Sequence, residues 1–161
     1  MADVAVQELH DGSVWRVTFA NGKGNVLDVE GMRKLAEVFR RAAAAPALKA
    51  ICLEGEGKHF SFGASVQEHL PGEVEGMFAT FRELVFAILE SSIFTIAAVR
   101  GQCLGGGLDV VMVLSMVVFS GISGSKMADV AAVGSVLVPA ARKSGQKPGD
   151  AVALLAASAV M

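Results

Sequence analysis

Apolar and polar residues along the first 120 positions follow strand-like and helix-like periods in turn. Two short β-like runs, VAVQEL and VWRVTF, are separated by HDGS. The pair Asp11-Gly12 in that linker is a strong hairpin signal. Apolar residues at helical spacing then predict a helix: Met32, Leu35, Ala36, Phe39 and Ala43. Asp28 is placed to cap this helix and Pro46 to end it.

Two short apolar runs in the middle of the chain, KAICLEG and IFTIAAV, are predicted to be buried strands. The clearest amphipathic helix of the chain lies between them, on these positions: Val74, Met77, Phe78, Phe81, Leu84, Val85, Ile88 and Leu89. Residues 106–114 are predicted to form a short helix and SMVVFS a further strand. Strands separated by helices in this order predict an α/β protein with helices packed on a sheet.

The amino-acid composition of the chain changes at about Gly121. Residues 121–161 are rich in Ala, Gly, Ser and Val and contain no aromatic residue, and helical periodicity is clear only in DAVALLAASAVM. We therefore predict a core over residues 1–120 and a divergent tail over residues 121–161 whose packing is poorly specified.

Composition and charge narrow the classes of function. Hydrophobic residues make up 53% and charged residues 19% of the chain, which is typical of a globular protein. A net charge of -2 gives no support for nucleic-acid binding. The mean hydropathy of +0.53 raises the question of a membrane, but the longest apolar stretch, 110–122, is shorter than the roughly 20 residues of a spanning helix. No membrane partner is predicted.

The cysteines and the first residues indicate a reducing compartment. Cys52 and Cys103 are too few for a disulfide framework and lie in apolar surroundings. The first residues, MADVAVQELHDG, lack the basic and apolar regions of a signal peptide. We therefore expect a cytoplasmic location. Three histidines and two scattered cysteines do not form a metal constellation, so no metal is predicted.

A glycine-rich segment, RGQCLGGGLD at 100–109, carries the strongest chemical signal. It does not fit a dinucleotide fingerprint, because Val110 stands where the third glycine belongs. It does not fit a phosphate loop either, because Gly107 and Leu108 stand where Lys and Ser/Thr belong. No serine lies between the glycines, which excludes a nucleophile elbow. The remaining function is an oxyanion hole, in which backbone amides hold the charge that develops on a carbonyl oxygen.

An oxyanion hole usually needs a second donor, and HFSFGAS at 59–65 is the candidate segment. It also follows a predicted buried strand, and Gly63-Ala64 exposes backbone. The alternative is that both segments are only tight turns between a strand and a helix. Asp109 is placed to move protons beside the hole, or it is an ordinary acid in the first turn of a helix.

The two segments and their spacing resemble the enoyl-CoA hydratase/isomerase superfamily, the crotonases. The sequences of the segments HFSFGASVQEHLP and RGQCLGGGL together look most like those of the cyclohexa-1,5-diene-1-carbonyl-CoA hydratases. The resemblance covers residues 1 to about 120. It implies a crotonase-like (ClpP/crotonase) α/β spiral of β-β-α units, incomplete at the C-terminus, and backbone donors at Ala64 and Gly106.

The same resemblance implies a coenzyme A (CoA) thioester as substrate, no further cofactor, and a homo-oligomer, commonly a trimer. The segment GNVLD is similar to the family's early CoA-contacting segment. The predicted CoA-binding residues are Lys23, Asn25, Val26, Gly63, Ser65 and Gly105. Lys58 and Arg100 are further candidates for the CoA phosphates, with a solvated surface charge as the alternative for each cation. His59 and His69 are expected to be structural.

Two departures from the family pattern leave the reaction open. Asp109 stands where the family usually has Glu, and the usual Gly-x-Pro-Glu stretch is absent, so Asp129 is the only nearby candidate for a second carboxylate. The candidate functions are a hydratase, a double-bond isomerase that needs one acid/base group, and an acyl-CoA-binding or subunit-interaction protein without turnover.

Overall fold

The computed structural model describes residues 2–123, with side chains to residue 115, and the isolated positions 134, 135, 138, 139, 142, 149 and 152. The predicted second carboxylate, Asp129, and nearly all of the predicted tail therefore lie outside the described residues. The strands are β1 (Asp3–Leu9), β2 (Val14–Ala20), β3 (Ala50–Gly55) and β4 (Phe94–Ala98). The helices are α1 (Val29–Ala43), α2 (Val74–Glu90) and α3 (Gly105–Ser123), with a 3-10 turn at Gln67–His69.

The four strands form one sheet in the order β1-β2-β3-β4. β1 and β2 are antiparallel, with Val6 opposite Val17, whereas β2, β3 and β4 run parallel. The predicted hairpin is confirmed: His10, Asp11 and Gly12 all have positive φ. Each parallel pair is joined by a helical crossover, as parallel strands require.

Helix α1 follows the sequence prediction closely. The Asp28 side chain accepts a hydrogen bond from the backbone N–H of Gly31 at 2.7 Å and so caps the helix. The helix buries one face against the sheet, including Met32 and Phe39. A Cβ on Gly31 would lie 2.8 Å from the Phe19 ring, so the first turn approaches β2 closely.

The predicted strand SMVVFS is wrong, because α3 continues without a break from Gly105 to Ser123. β-branched residues suggested a strand, but short apolar runs suit a buried helix equally well. Ser115 lies in this run, and its hydroxyl donates to the carbonyl of Val111 at 2.8 Å, which satisfies a polar group inside the helix.

Strand β4 is confirmed as a strand but is not buried as expected. Phe94 is 53% exposed and Ile96 is 50% exposed. β4 is the last strand in the order of the described sheet, and no described element covers the face that carries these two side chains. Thr95, on the opposite face, is buried instead.

The parallel strands bring three chain segments to one edge of the sheet. The carboxyl ends of parallel strands share an edge, and ligand sites of α/β proteins form there. We call the segments that follow the strands the β2 loop (residues 21–28), the β3 loop (residues 59–65) and the β4 loop (residues 100–104).

Candidate active site

The β3 loop is hydrogen-bonded along one side to the β2 loop. The backbone N–H of Phe62 donates to the carbonyl of Gly24 at 2.8 Å. The N–H of Leu27 donates to the carbonyl of Gly63 at 2.8 Å, and the N–H of Ser65 donates to the carbonyl of Leu27 at 2.9 Å. This short parallel pairing fixes the backbone on both sides of Ala64.

Along its other side the β3 loop is hydrogen-bonded to the β4 loop. The N–H of Phe60 donates to the carbonyl of Gln102 at 2.9 Å, and the N–H of Leu104 donates to the carbonyl of Ser61 at 2.9 Å. The β3 loop therefore lies between the other two loops. The two segments singled out in the sequence are in direct contact.

The predicted donors, Ala64 and Gly106, lie next to each other. The peptide groups on either side of Ala64 bond to Leu27, so the N–H of Ala64 points away from Leu27, as alternation along an extended segment requires. Its nitrogen lies 3.5 Å from the position of a Cβ built on Gly106. Within residues 2–123, neither of these two amides has a hydrogen-bond acceptor.

The start of α3 adds to the electrostatic character of this point. Gly106 is the second residue of α3, and the first N–H groups of a helix have no partner inside the helix. The helix dipole favours negative charge at the same end. Two neighbouring amides without an acceptor among residues 2–123 thus lie at a helix N-terminus, which suits an oxygen atom that gains negative charge.

The three consecutive glycines have three different surroundings. Gly105 has φ +46°, in the left-handed region. A Cβ on Gly107 would lie 2.6 Å from the Cβ of Ser61, so this glycine allows the helix to touch the β3 loop. A Cβ on Gly106 would meet nothing closer than 3.5 Å, so it would fit in ordinary van der Waals contact beside the Ala64 amide.

Asp109 is the fifth residue of α3 and is half-buried. The interpretation as a first-turn acid is therefore wrong, because the helix begins at Gly105. Burial, with a smaller contribution from the Asp109 charge, raises the pKa of the Cys103 thiol to about 11. The Asp109 charge is therefore felt at Cys103, which lies in the β4 loop.

An open groove of about 470 Å³ lies beside the β2 loop and the end of the β3 loop. Of the predicted CoA-binding residues, Lys23, Val26 and Ser65 line it, and Val66 and Gln67, which sequence reasoning missed, line it too. Gly63 and Gly105 lie instead at the contact between the β3 loop and α3, where a Cβ on Gly105 would be 3.6 Å from the Cα of Gly63. Their contact with CoA stays a prediction.

Asn25 does not line the groove, because its side chain is directed into the protein. The residue is 1% exposed and has φ +46°. Its Nδ2 donates to the carbonyls of Glu56 at 2.9 Å and of His59 at 2.8 Å. Asn25 therefore holds the β2 loop against the β3 loop, and its predicted contact with CoA stays untested.

The other charged candidates have structural or surface surroundings. The N–H of Gln102 donates to Nδ1 of His59 at 3.1 Å, which makes this ring nitrogen an acceptor in a loop contact. Nδ1 of His69 lies 2.6 Å from the carbonyl of Ser65. Arg100 has an exposed side chain that lies 3.5 Å from the Glu54 carboxylate. These contacts agree with the structural role expected for the histidines.

Ser61 was not singled out by sequence reasoning. It is 1% exposed, and its hydroxyl donates to the carbonyl of Asn25 at 2.7 Å. The signal available in the sequence was its position in HFSFGAS, where a polar residue between two phenylalanines faces the opposite side of an extended segment.

The described part of the chain contains neither a candidate metal-binding group nor a candidate membrane-spanning helix. Between residues 2 and 123, no group of three or more His, Cys, Asp or Glu side chains is placed to hold a metal ion. Among the helices of that same range, none has the length and apolar character needed to cross a membrane.

Solved structures with the same topology define the fold. An enoyl-CoA hydratase/carnithine racemase from Magnetospirillum magneticum superposes with a TM-score of 0.60 at 26% identity, covering 66% of this chain and 43% of that one. An enoyl-CoA hydratase from Mycobacterium avium subsp. paratuberculosis K-10 gives a TM-score of 0.58 at 28% identity, with coverage of 68% and 43%. The chain has a crotonase-like fold that is incomplete relative to these proteins.

The chain is also similar to a curated relative. The chain is 43% identical over 100 residues to the cyclohexa-1,5-dienecarbonyl-CoA hydratase of Thauera aromatica. The match covers 62% of this chain and 39% of that hydratase. The predicted resemblance to the enoyl-CoA hydratase/isomerase superfamily is confirmed, for a chain that spans about two fifths of the relative's length.

Residues 87–161 match a different family model, described as the tripartite ATP-independent periplasmic transporter, DctM component. The matched segment is somewhat less than half of the chain. It contains β4 and α3 as well as the predicted tail. Sequence reasoning noticed the change in composition at about Gly121 but did not find this similarity.

Proposed function

We propose that this chain binds an acyl-CoA thioester and supports the addition of water to an α,β-unsaturated enoyl-CoA or cyclic dienoyl-CoA, or its removal. The observation that supports this proposal most strongly is that the amides of Ala64 and Gly106, which have no acceptor among residues 2–123, lie next to each other at the N-terminus of α3. The similarity to a cyclohexa-1,5-dienecarbonyl-CoA hydratase supports the substrate class.

The chemistry of hydration explains why two amides are useful. Addition of water to the double bond passes through an enolate-like state in which charge gathers on the thioester oxygen. Amides aimed at that oxygen stabilise it, and loss of one such donor typically costs about 3 kcal/mol. In this proposal the amides of Ala64 and Gly106 hold the oxygen.

Asp109 is the proposed acid/base group. Its carboxylate is half-buried on the helix that supplies the Gly106 amide. A carboxylate in that position can take a proton from water as the water attacks and return it to the substrate carbon, a role worth typically about 10²–10⁴-fold in rate.

The groove beside the β2 loop is the proposed CoA site. Lys23 supplies a cation for a phosphate, and Val26 and Ser65 line the same groove next to Ala64. A thioester whose carbonyl lies at the two amides can thus extend its CoA portion into the groove.

A second candidate is thioester binding without turnover. The transporter-family match over residues 87–161 favours binding without turnover. That match covers the positions where the enoyl-CoA hydratase/isomerase pattern has its second carboxylate. A double-bond isomerase, which needs one acid/base group, is the intermediate case and would require only Asp109.

Assembly and location are part of the same proposal. We infer a cytoplasmic protein, supported by the free thiols of Cys52 and Cys103. The homotrimer is proposed for full-length members of the family and not for this chain by itself. Degradation of aromatic compounds is the proposed context, supported by the substrate in the relative's name.

The test compares binding and turnover in the same preparation. Titration with crotonyl-CoA and with cyclohexa-1,5-diene-1-carbonyl-CoA measures affinity, and product analysis detects hydration or double-bond migration. Hydrated product supports the hydratase, a shifted double bond supports the isomerase, and binding alone supports the second candidate. No preference for either thioester over free CoA would contradict the proposal.

A further inference from the structure

The buried hydroxyl of Ser61 connects two of the three loops of the site. Its Oγ donates to the carbonyl of Asn25 in the β2 loop at 2.7 Å. The same Oγ accepts a hydrogen bond from the N–H of Gly63 at 3.1 Å. The hydroxyl is thus both donor and acceptor within the protein, at a position that is 1% exposed.

The backbone and Cβ of Ser61 are tied to the third loop and to α3. The carbonyl of Ser61 accepts from the N–H of Leu104 at 2.9 Å. Its Cβ lies against Gly107, where an added Cβ would come within 2.6 Å. Since Gly106 is the neighbour of Gly107, the position of Ser61 sets how closely the Gly106 amide approaches the β3 loop.

Gly63 connects Ser61 to the amide of Ala64, the other proposed donor. It has φ +101°, and a Cβ built on it would lie 2.9 Å from the carbonyl oxygen of Leu104 and 3.4 Å from the nitrogen of Gly106. Gly63 therefore rests against the start of α3, and the next residue is Ala64. A hydrogen bond that holds the Gly63 N–H holds the peptide immediately before the proposed donor.

We propose that Ser61 is a positioning residue that fixes the distance between the amides of Ala64 and Gly106. The inference rests on the proposed function, because it concerns the thioester site described above. It adds that the hydroxyl, and not only the small size of the residue, is required. Alanine fits the same space but leaves the Gly63 N–H and the Asn25 carbonyl without their partner in a buried place.

The test uses Ser61→Ala, with Ser13→Ala as the matched control. Ser13 loses the same atom from an exposed hairpin, where its hydroxyl donates only to the carbonyl of His10. The probes are free CoA and crotonyl-CoA labelled with ¹³C at the carbonyl. The readouts are the affinity of each probe, the ¹³C shift of the bound carbonyl, and the ¹H–¹⁵N resonances of the free protein.

In the wild type we expect the bound carbonyl to be polarised and to shift. In Ser61→Ala we expect that shift to shrink, the resonances of both Ala64 and Gly106 to move, and the preference for crotonyl-CoA over CoA to fall about 2- to 10-fold, the worth of one ordinary hydrogen bond. Affinity for free CoA and every readout of Ser13→Ala should stay unchanged. Ser61→Cys, which keeps a weak donor and acceptor, should restore part of the effect.

The outcomes separate the two proposals. If Ser61→Ala keeps the full carbonyl shift, the positioning role is overturned and the proposed function stands. If the wild type shows no carbonyl shift, the proposed function fails, and unmoved resonances of Ala64 and Gly106 in the variant overturn the positioning role as well. If Ser61→Ala does not fold, the same comparison is made with Ser61→Gly, which also lacks the hydroxyl, and a wild-type carbonyl shift there overturns the role.

Discussion

Replacement by alanine is expected to have different effects at the adjacent glycines Gly106 and Gly107: it should lower stability at Gly107 and thioester binding or turnover at Gly106. Neither has positive φ, so alanine can adopt the backbone at both positions. A Cβ on Gly107 would lie 2.6 Å from the Cβ of Ser61, whereas the nearest atom to a Cβ on Gly106 is 3.5 Å away. The only large difference between the two variants is therefore space.

The sizes of the two effects follow from these distances. Carbon atoms in contact prefer about 3.5–4.0 Å, so Gly107→Ala must move α3 or the β3 loop by roughly 1 Å. Overpacking of this kind costs about 1–3 kcal/mol, partly offset by the 0.5–1 kcal/mol or so by which alanine is the better helix residue. We expect Gly107→Ala to lose about 1–2 kcal/mol of unfolding free energy, and Gly106→Ala to lose none.

Binding is expected to respond in a different way from stability. The new methyl group in Gly106→Ala lies 3.5 Å from the nitrogen of Ala64, in the space where a thioester oxygen must come within about 3 Å of that nitrogen. The methyl group should exclude the oxygen. The variant should fold like the wild type yet lose about 100-fold or more in turnover, or its preference for the thioester over CoA if it only binds.

The assay for stability is urea unfolding followed by the fluorescence of Trp15. It is the single tryptophan of the chain and is buried in the core, so its emission reports the folded state. Thioester and CoA affinities are measured on the same samples. Equal destabilisation of both variants would contradict the packing around Gly107, and an unchanged thioester preference in Gly106→Ala would contradict the proposed hole.

Four further predictions concern Asp109, Cys103 and the edge of the sheet. Asp109→Asn should lower turnover by about 100-fold or more with CoA affinity unchanged; a wild-type rate would remove Asp109 from the mechanism. Because burial and the Asp109 charge hold the pKa of Cys103 at about 11, iodoacetamide should label it slowly at pH 8, and Asp109→Asn should speed labelling; equal rates would place the carboxylate elsewhere. In the unfolded chain the Cys103 thiol ionises with the ordinary pKa of 9.0. The contribution of the protonated thiol to the free energy of unfolding should therefore be fully present below pH 9 and should fall as the pH rises above it. Urea unfolding of the wild type and of Cys103→Ser at pH 8 and pH 10 measures this difference. Amide hydrogens should exchange more slowly in β3, which is paired on both sides, than in β4; equal protection would indicate that β4 is covered.

Local patterns were sufficient for most of the described elements. Strand alternation, helical spacing, the Asp28 cap and the Asp11-Gly12 turn are properties of neighbouring residues, and each appears in the structure as predicted. The same patterns failed at residues 115–120, because a short apolar run is compatible with a strand and with a buried helix. They also failed for the burial of β4, since exposure depends on which distant segment covers a face.

The sequence by itself indicated an oxyanion hole, because glycine-rich segments let backbone amides approach a ligand closely, and the resemblance to a known family gave Ala64 and Gly106 as the candidate donors. Only the tertiary structure decided that these segments touch, since the parallel order of β2, β3 and β4 brings the three loops to one edge. It also decided the roles of Ser61 and Asn25, whose side chains bond to carbonyls far away in the chain. A side chain's type is local, but its partners are set by the packing of the whole fold.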